Sequence, residues 1–509
     1  LGTRLALGAG FGRLAADIAT ESLTLAGLGG AAGLSLAFVL VSSLDSLGLT
    51  QFPRSGEISL RWTTMLFAVC ASLFAGCVIA LFSIVRLRRL SVASALRDSG
   101  RAMTQGRGAV MSRQALAAAQ VAMTFVLLTG AALMLASFRE LSRVEPGYRL
   151  DGVLTASTAA PASLYPADAA LDGLTTRLLD RVRQAPGVKA AGATSAAPLA
   201  SEYNSGVIFP EGYQVSSGEP AVSPLYASVT PGYFDAMGIS MIEGRAFDPR
   251  DRADSLPAII VDEGLAQRFW PGANPVGRRM YLPSAAGLSP DENTEWLTVV
   301  GVASRVRMKN LAGTDNAAGM YYRPFAQQPA RTLTFVVQSA SPTATLAPEL
   351  RAVFAEAAPG LALFDLRTMA ERASASLSAR RAALTLLLSF GAISLFLAAL
   401  GLFGVLSYML ARRRREVGIR KAVGCTSAGV FWLFLREGAV LVGAGVTAGL
   451  AITVLAQDLL QGLLYGVRPF EPLLLGTVTL LLAVAALLAV AGPAATAARI
   501  DPGVALKQD

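Results

Sequence analysis

The sequence predicts a polytopic α-helical membrane protein with six transmembrane helices and one large extracytoplasmic α+β domain. Three observations carry this. Of 509 residues, 53% are hydrophobic and only 16% charged, with mean hydropathy +0.50; soluble domains carry roughly 25% charged residues. Six apolar runs, at about 18–44, 62–85, 114–138, 382–410, 430–455 and 473–495, reach the roughly 20 residues a bilayer crossing needs. Charge is also partitioned: residues 138–379 carry net −3 and the remainder net +12. Basic charge beside apolar runs sets orientation in the membrane, so the basic balance is not a nucleic-acid footprint.

In chain order, residues 1–98 hold the first two spans, and 99–113 form a linker. The stretch 86–113 carries seven arginines and one acid, Asp98, and reads as cytoplasmic. The span 114–138 leads into 139–379, which has ordinary globular composition, and 380–509 hold the last three spans. The positive-inside rule then puts 86–113, the basic turn at 411–421 and the C-terminal tail in the cytoplasm. It puts 139–379 and the loops at 45–60 and 459–471 outside. Within the outer domain, strands are expected at 153–158, 188–194, 296–304, 333–340 and 361–366. A helix is expected over 168–185, where Leu171, Leu174, Leu178 and Val182 keep helical spacing up to Pro186-Gly187, and another over 345–358. Residues 257–271 read as a strand followed by a short helix, and the Gly/Ser/Pro-rich 200–222 as a loop or insertion. Alternation with mixed lengths suggests α+β.

Composition excludes several chemistries. The chain has no histidine, which removes His-based triads, metal sites and proton relays. No G-x-x-x-x-G-K-S/T pattern occurs in these residues, so they hold no P-loop. Cys70 and Cys77, seven apart in an apolar run, are expected to share a packed helix face. No paired carboxylates or nucleophile–base set stands out, and Asp262-Glu263 sits at a strand end with no visible partner. No catalytic residue, metal or bound cofactor is therefore expected of this chain.

The stretch with most character is 411–437, ARRRREVGIRKAVGCTSAGVFWLFLRE. Arg412, Arg413, Arg414 and Arg415 read as the charge cluster that fixes topology. Glu416, Gly418, Ile419, Arg420, Ala422 and Gly424 make a short amphipathic unit too polar for lipid, which a cytoplasmic partner could grip. Its glycines permit close backbone approach. The unit recurs: Val417–Gly424 matches Leu1–Gly8 at an offset of 416, so Gly2, Arg4, Ala6 and Gly8 hold the corresponding places. The offset persists at Glu21/Glu437 and at Gly29-x-x-x-Gly33/Gly445-x-x-x-Gly449, and the tails 88–98 and 498–508 also match. Both acids read as members of interfacial ion pairs, Glu437 with the adjacent Arg436. Gly29, Gly33, Gly445 and Gly449 read as helix-packing positions. An internal repeat covers 1–98 and 417–508, and it implies an opening helix and a further outer domain upstream of Leu1.

REVGIRKAVG at 415–424 resembles the R-E-I-G-I-R-K-A-L-G signature of FtsX-like permease subunits of ABC transporters. TPGYFDAMGISMIEGRAF (230–247), IIVDEGLAQRFWPGANPVGRRM (259–280) and WLTVVGVASRVR (296–307) resemble the MacB-type periplasmic core domain. The arrangement looks like duplicated permeases of the ADOP type, with 1–98 as the end of a first FtsX-like unit and 380–509 as a second. The first copy departs from the signature, with Thr3 and Leu5 where Ile419 and Lys421 stand. The resemblance implies a permease subunit of an ABC-type export or mechanotransmission system in the bacterial inner membrane. A separate nucleotide-binding subunit would hold ATP and Mg and dock on residues 412–424, and on 1–13 in the first copy. An extracytoplasmic adaptor or substrate protein is a further implied partner, with membrane lipids around the spans. The alternative is a non-transport regulator of an envelope enzyme, or a lipoprotein-release factor.

Overall fold

The structure, a computed structural model, describes residues 11–46, 61–88, 107–200, 202–213, 222–283, 288–292, 294–311, 318–457, 464–468 and 470–498. Helices α1 (Phe11–Ser46), α2 (Trp62–Arg88) and α3 (Arg107–Ser142) come first. They are followed by β1 (Val153–Ala159), α4 (Asp168–Arg183), β2 (Val188–Thr194), β3 (Asn204–Ser205), β4 (Phe209–Pro210), β5 (Leu225–Val229), α5 (Tyr233–Met237) and β6 (Met241–Gly244). Then come β7 (Ala258–Asp262), α6 (Glu263–Phe269), β8 (Arg279–Tyr281), β9 (Trp296–Ala303), β10 (Met320–Pro324), β11 (Thr332–Ser339), α7 (Thr343–Ala357), β12 (Leu363–Thr368) and α8 (Met369–Ser376). The chain closes with α9 (Ser378–Ala422), α10 (Ser427–Leu455) and α11 (Pro472–Ala498). Two units result: Glu140–Leu377, and the flanking segments Leu1–Arg139 and Ser378–Asp509.

Among the described residues six helices, α1–α3 and α9–α11, are long and apolar enough to cross a membrane. A helix satisfies its own backbone groups, which is what a segment in hydrocarbon requires. α1 and α2 meet at Gly30 and Gly76. A Cβ at Gly76 would stand 2.6 Å from the Cβ of Ala26, and one at Gly30 would stand 2.7 Å from Oγ of Ser72. The second copy packs differently. On α10, a Cβ at Gly445 would stand 2.6 Å from the Cβ of Val121 on α3, and one at Gly449 2.9 Å from the Cβ of Phe125. Gly29 and Gly33, the matching pair on α1, have nothing within 4 Å of such a Cβ. Among the described residues the close approach on α1 falls at the neighbouring Gly30. Cys70 and Cys77 are both exposed, so they stand on the outer face of α2 and not in a packed one.

α3 and α9 are joined by a polar seam. The hydroxyls of Thr124 and Ser394 lie 2.6 Å apart, Gln114 reaches Sδ of Met409, and the Arg113 guanidinium covers the Tyr408 ring at 4.0 Å. Side-chain hydrogen bonds between helices are favourable in an apolar medium. α9, α10 and α11 share a buried cluster that includes Leu406, Met409, Val417, Val430, Phe434 and Val490.

The outer unit is a mixed sheet in the order β12-β1-β11-β2-β5-β10-β7-β9-β8-β4, with β3 added to β5 and β6 to β9. The helix over 168–183 and the strands over 153–159, 188–194 and 296–303 fall where periodicity places them. The stretch 200–222 is not simply a loop: β3 and β4 lie in it, β3 pairing with β5 and β4 closing the sheet edge beside β8. β10, Met-Tyr-Tyr-Arg-Pro, is fully buried between β5 and β7, and its mixed polar sequence gives no strand signal. Asp262 is not partnerless. It caps α6, with Oδ1 accepting from the Leu265 amide at 2.7 Å.

Candidate coupling site

The basic run kinks the helix and splits it into two helical stretches. α9 continues through Arg412–Arg415 to Ala422, with one non-helical residue, Arg413 (φ −103°, ψ 15°). The basic turn expected at 411–421 is therefore a helical extension, because arginine is a good helix former. The turn itself is short. The amide of Cys425 donates to the Arg420 carbonyl at 2.9 Å and the amide of Gly424 to the Lys421 carbonyl at 3.1 Å. Gly424 sits at φ +103°. These two bonds around a left-handed residue are a Schellman cap, and only glycine adopts that φ without strain. Thr426 then caps α10, its Oγ1 accepting from the Gly429 amide at 3.2 Å.

The extension has two faces. Val417 is 2% exposed and packs with Leu406, Val430 and Phe434. Gly418 is also buried. On the other side Ile419 is 47% and Val423 83% exposed, one turn apart, so they form one apolar knob. Ala422 and Gly424 are exposed beside them, and the Glu416–Arg420 ion pair at 2.8 Å borders them. Val423 was not singled out from the sequence, although its spacing of four from Ile419 carried the signal.

At the kink, Nη1 of Arg413 lies 2.5 Å from Oε1 of Glu437 on α10. This corrects the expected Glu437–Arg436 pairing: consecutive residues on a helix point about 100° apart, whereas Arg413 faces Glu437 across two helices. Oε2 of Glu437 is buried and has no hydrogen-bond partner among the described residues. Arg413 also lies 3.9 Å from Glu416, which links the clamp to the extension. Arg412, Arg414 and Arg415 lie in the same helix. Glu21 on α1 is exposed. The repeat positions Gly2, Arg4, Ala6 and Gly8 lie outside the described residues.

The far end of α9 begins at Ser378, directly after the outer unit ends at Leu377. The last elements of that unit are firmly tied. Arg372 on α8, 3% exposed, donates from Nε to Oγ1 of Thr155 at 2.8 Å and from Nη2 to Oδ2 of Asp365 at 2.5 Å. Burial lowers the pKa of Arg372 and the Asp365 carboxylate opposes this. Arg367 also pairs with Asp365. Thr368 and Glu371 form a capping box at the start of α8. The chain entering from α3 is tied too: the Pro146 carbonyl accepts from the Arg307 amide at 2.9 Å and the Arg149 amide donates to Met237 at 2.7 Å. No motif or periodicity in the sequence marks Arg372.

Six apolar helices with a sheet-rich outer unit define a multi-pass membrane protein with an extracytoplasmic domain. The model of the MacB-like periplasmic core domain matches residues 72–353, more than half the chain, and that of the FtsX-like permease C-terminal region matches 388–502. The chain belongs to the MacB-like family of ABC transporter permeases. It is 27% identical over 296 residues to the probable syringafactin export ATP-binding/permease protein SyfD of Pseudomonas syringae pv. tomato, covering 55% of this chain and 42% of that protein. It is 26% identical over 283 residues to the macrolide export ATP-binding/permease protein MacB of Nitrosomonas europaea, covering 52% of this chain and 40% of that one. The chain thus spans about two-fifths of the length of these relatives. The periplasmic region of MacB from Actinobacillus actinomycetemcomitans aligns with 44% of this chain and 93% of its own, at 12% identity and a TM-score of 0.29.

Proposed function

We propose that this chain is a permease subunit that couples ATP hydrolysis by a cytoplasmic partner to movement of its extracytoplasmic domain, in an export system of the bacterial inner membrane. The observation that carries the reading is α9. Its 45 residues form two helical stretches joined by a kink at Arg413: the first starts where the outer unit ends and is long enough to cross the membrane, and the second ends in an exposed apolar knob at Ile419 and Val423. At 1.5 Å per residue the two stretches of α9 together measure about 68 Å along their axes. Its outer end adjoins the Arg372-anchored α8, and its inner end carries the knob, bordered by charge, that a partner protein would bind. ATP and Mg belong to that partner, because no P-loop lies within these residues. No covalent chemistry is assigned to this chain.

Reconstitution with the partner ATPase tests the reading. Ile419→Glu places a charge on the knob, at a position already about half exposed, so membrane insertion is expected to be unchanged. Stimulation of the partner's ATP hydrolysis is expected to fall at least tenfold, the equivalent of about 1.4 kcal/mol of lost docking. Unchanged stimulation would overturn the docking role. The second reading, a regulator of an envelope enzyme or a lipoprotein-release factor, rests on the same coupling helix and differs only in what the outer unit touches. Recovery of a cell-wall hydrolase with the extracytoplasmic unit, in place of an export adaptor, would favour it.

A further inference from the structure

Between α10 and α11 a groove of about 850 Å³ opens, walled by Trp432, Gly443 and Val446 from α10 and by Ala483, Leu487 and Val490 from α11. Its lining is apolar apart from Thr479, whose hydroxyl donates to the Leu475 carbonyl of its own helix at 2.7 Å, and Arg436. Arg436 is exposed and makes no hydrogen bond or ion pair with the described residues. It immediately precedes Glu437, which is clamped to Arg413 at the end of the α9 span. The cation therefore lies at the cytoplasmic headgroup level, by the orientation that the basic runs impose. From Arg436 the groove runs along α10 to Val446. Ten residues at 1.5 Å each are about 15 Å, half of a hydrocarbon core of about 30 Å. The part of the groove beyond Arg436 is about one leaflet deep, and Trp432 extends it by one turn toward the cytoplasm.

We propose that this groove is a binding site for one anionic phospholipid of the cytoplasmic leaflet, its acyl chain between α10 and α11 and its phosphate on Arg436. Three arguments converge on a lipid. The walls are as apolar as lipid tails, the length beyond Arg436 matches one leaflet, and Arg436, unpaired among the described residues, stands where the headgroup falls. A basic position between helices on the cytoplasmic side is what acidic headgroups select. Trp432, 66% exposed, stands toward the cytoplasmic end, where amphipathic rings settle at the interface. The internal repeat shows that the helix pair does not need this cation: at an offset of 416 the first copy has Thr20 in place of Arg436. The site is thus particular to the second half.

The test is lipid retention by the full chain, purified from membranes, placed in nanodiscs of equal parts phosphatidylglycerol and phosphatidylcholine and analysed by native mass spectrometry. The wild type is expected to retain one phosphatidylglycerol about fivefold over phosphatidylcholine, the preference that about 1 kcal/mol from one arginine confers. Arg436→Gln abolishes the preference and Arg436→Lys keeps it. Gly443→Phe fills the groove, since a side chain there meets nothing within 4 Å, and it abolishes retention of either lipid. Excess glycerol phosphate leaves the bound lipid in place, because the acyl chain is part of the site. Equal retention of the two lipids, an unaltered preference in Arg436→Gln, unaltered retention in Gly443→Phe, displacement by glycerol phosphate, or a second copy of the chain occupying the groove would each overturn the proposal.

Discussion

Asp262 is the residue whose environment is most at odds with its chemistry. It is 0% exposed, and burial pushes its pKa up to about 6 despite the Met320 and Leu265 amides that hydrogen-bond it. Its Oδ2 is buried without a partner among the described residues. The folded state therefore favours the protonated acid. Stability from this group is fully present below the ordinary carboxyl value of 3.8 and is lost as pH rises from there through about 6. The loss is roughly 2–3 kcal/mol at neutral pH. Asp262→Asn stays neutral and keeps an oxygen to accept from Leu265. At pH 7 it is expected to slow amide exchange across β7 and β10 in the full chain, and to flatten the pH dependence of that exchange between 4 and 7. Faster exchange in the variant at pH 7 would contradict the assignment. The sequence pointed to Asp262-Glu263 only as a pair at a strand end. The burial came from β10, whose Tyr-Tyr-Arg-Pro has no alternating pattern and becomes a central strand only by tertiary pairing with β5 and β7.

At the scale of elements, the decisive piece is the junction of α9 and α10. The four arginines mark a membrane boundary from sequence alone, but they conceal that helix resumes beyond the kink at Arg413, because the run looks equally like a loop. The Schellman cap was legible as Gly424 in the string Ala-Val-Gly-Cys, and its place fixes where the helix ends. The clamp between Arg413 and Glu437 was not legible, since 24 residues separate the partners and periodicity reports only neighbours. Removing one member leaves a half-buried charge unpaired, which costs more than the pair itself contributes. Arg413→Glu and Glu437→Arg are each expected to weaken coupled ATP hydrolysis. The double exchange restores most of it, because the reversed pair can form again. Additive loss in the double variant would show that the pair is not the joint. Gly424→Ala strains the cap by about 1–2 kcal/mol, and a shift in the trypsin sensitivity of residues 420–426 is the measurement that reports it. In the helix pairs, the glycine motif was readable, but its partner was not: Gly445 and Gly449 receive α3, a helix outside the repeated segment.

For the whole molecule, the six spans followed from hydropathy and charge, because a bilayer imposes lengths and signs that a sequence cannot hide, and the α+β class of the outer unit followed from alternating strand and helix patterns. What remained hidden was continuity. α9 reads from sequence as a span followed by a turn, yet the chain from Ser378 to Ala422 is helical on both sides of one kink at Arg413. It is bound to α3 through Thr124–Ser394 and Arg113–Tyr408. A helix transmits displacement only while it is stiff. Leu397 lies mid-span on α9 and is 48% exposed, so a proline there leaves the outer unit and the Ile419 knob intact. It removes one backbone hydrogen bond and clashes with the preceding turn, at a cost of about 3 kcal/mol. Leu397→Pro is therefore expected to keep partner binding at the cytoplasmic end and hydrogen-exchange protection in β1 and β11. It should reduce nucleotide-dependent distance changes between a label on the outer unit and one at Ser427, read by double electron–electron resonance. If those changes persist at full amplitude through a broken α9, motion travels by another helix, and α3, tied to the same seam, is the one to break next.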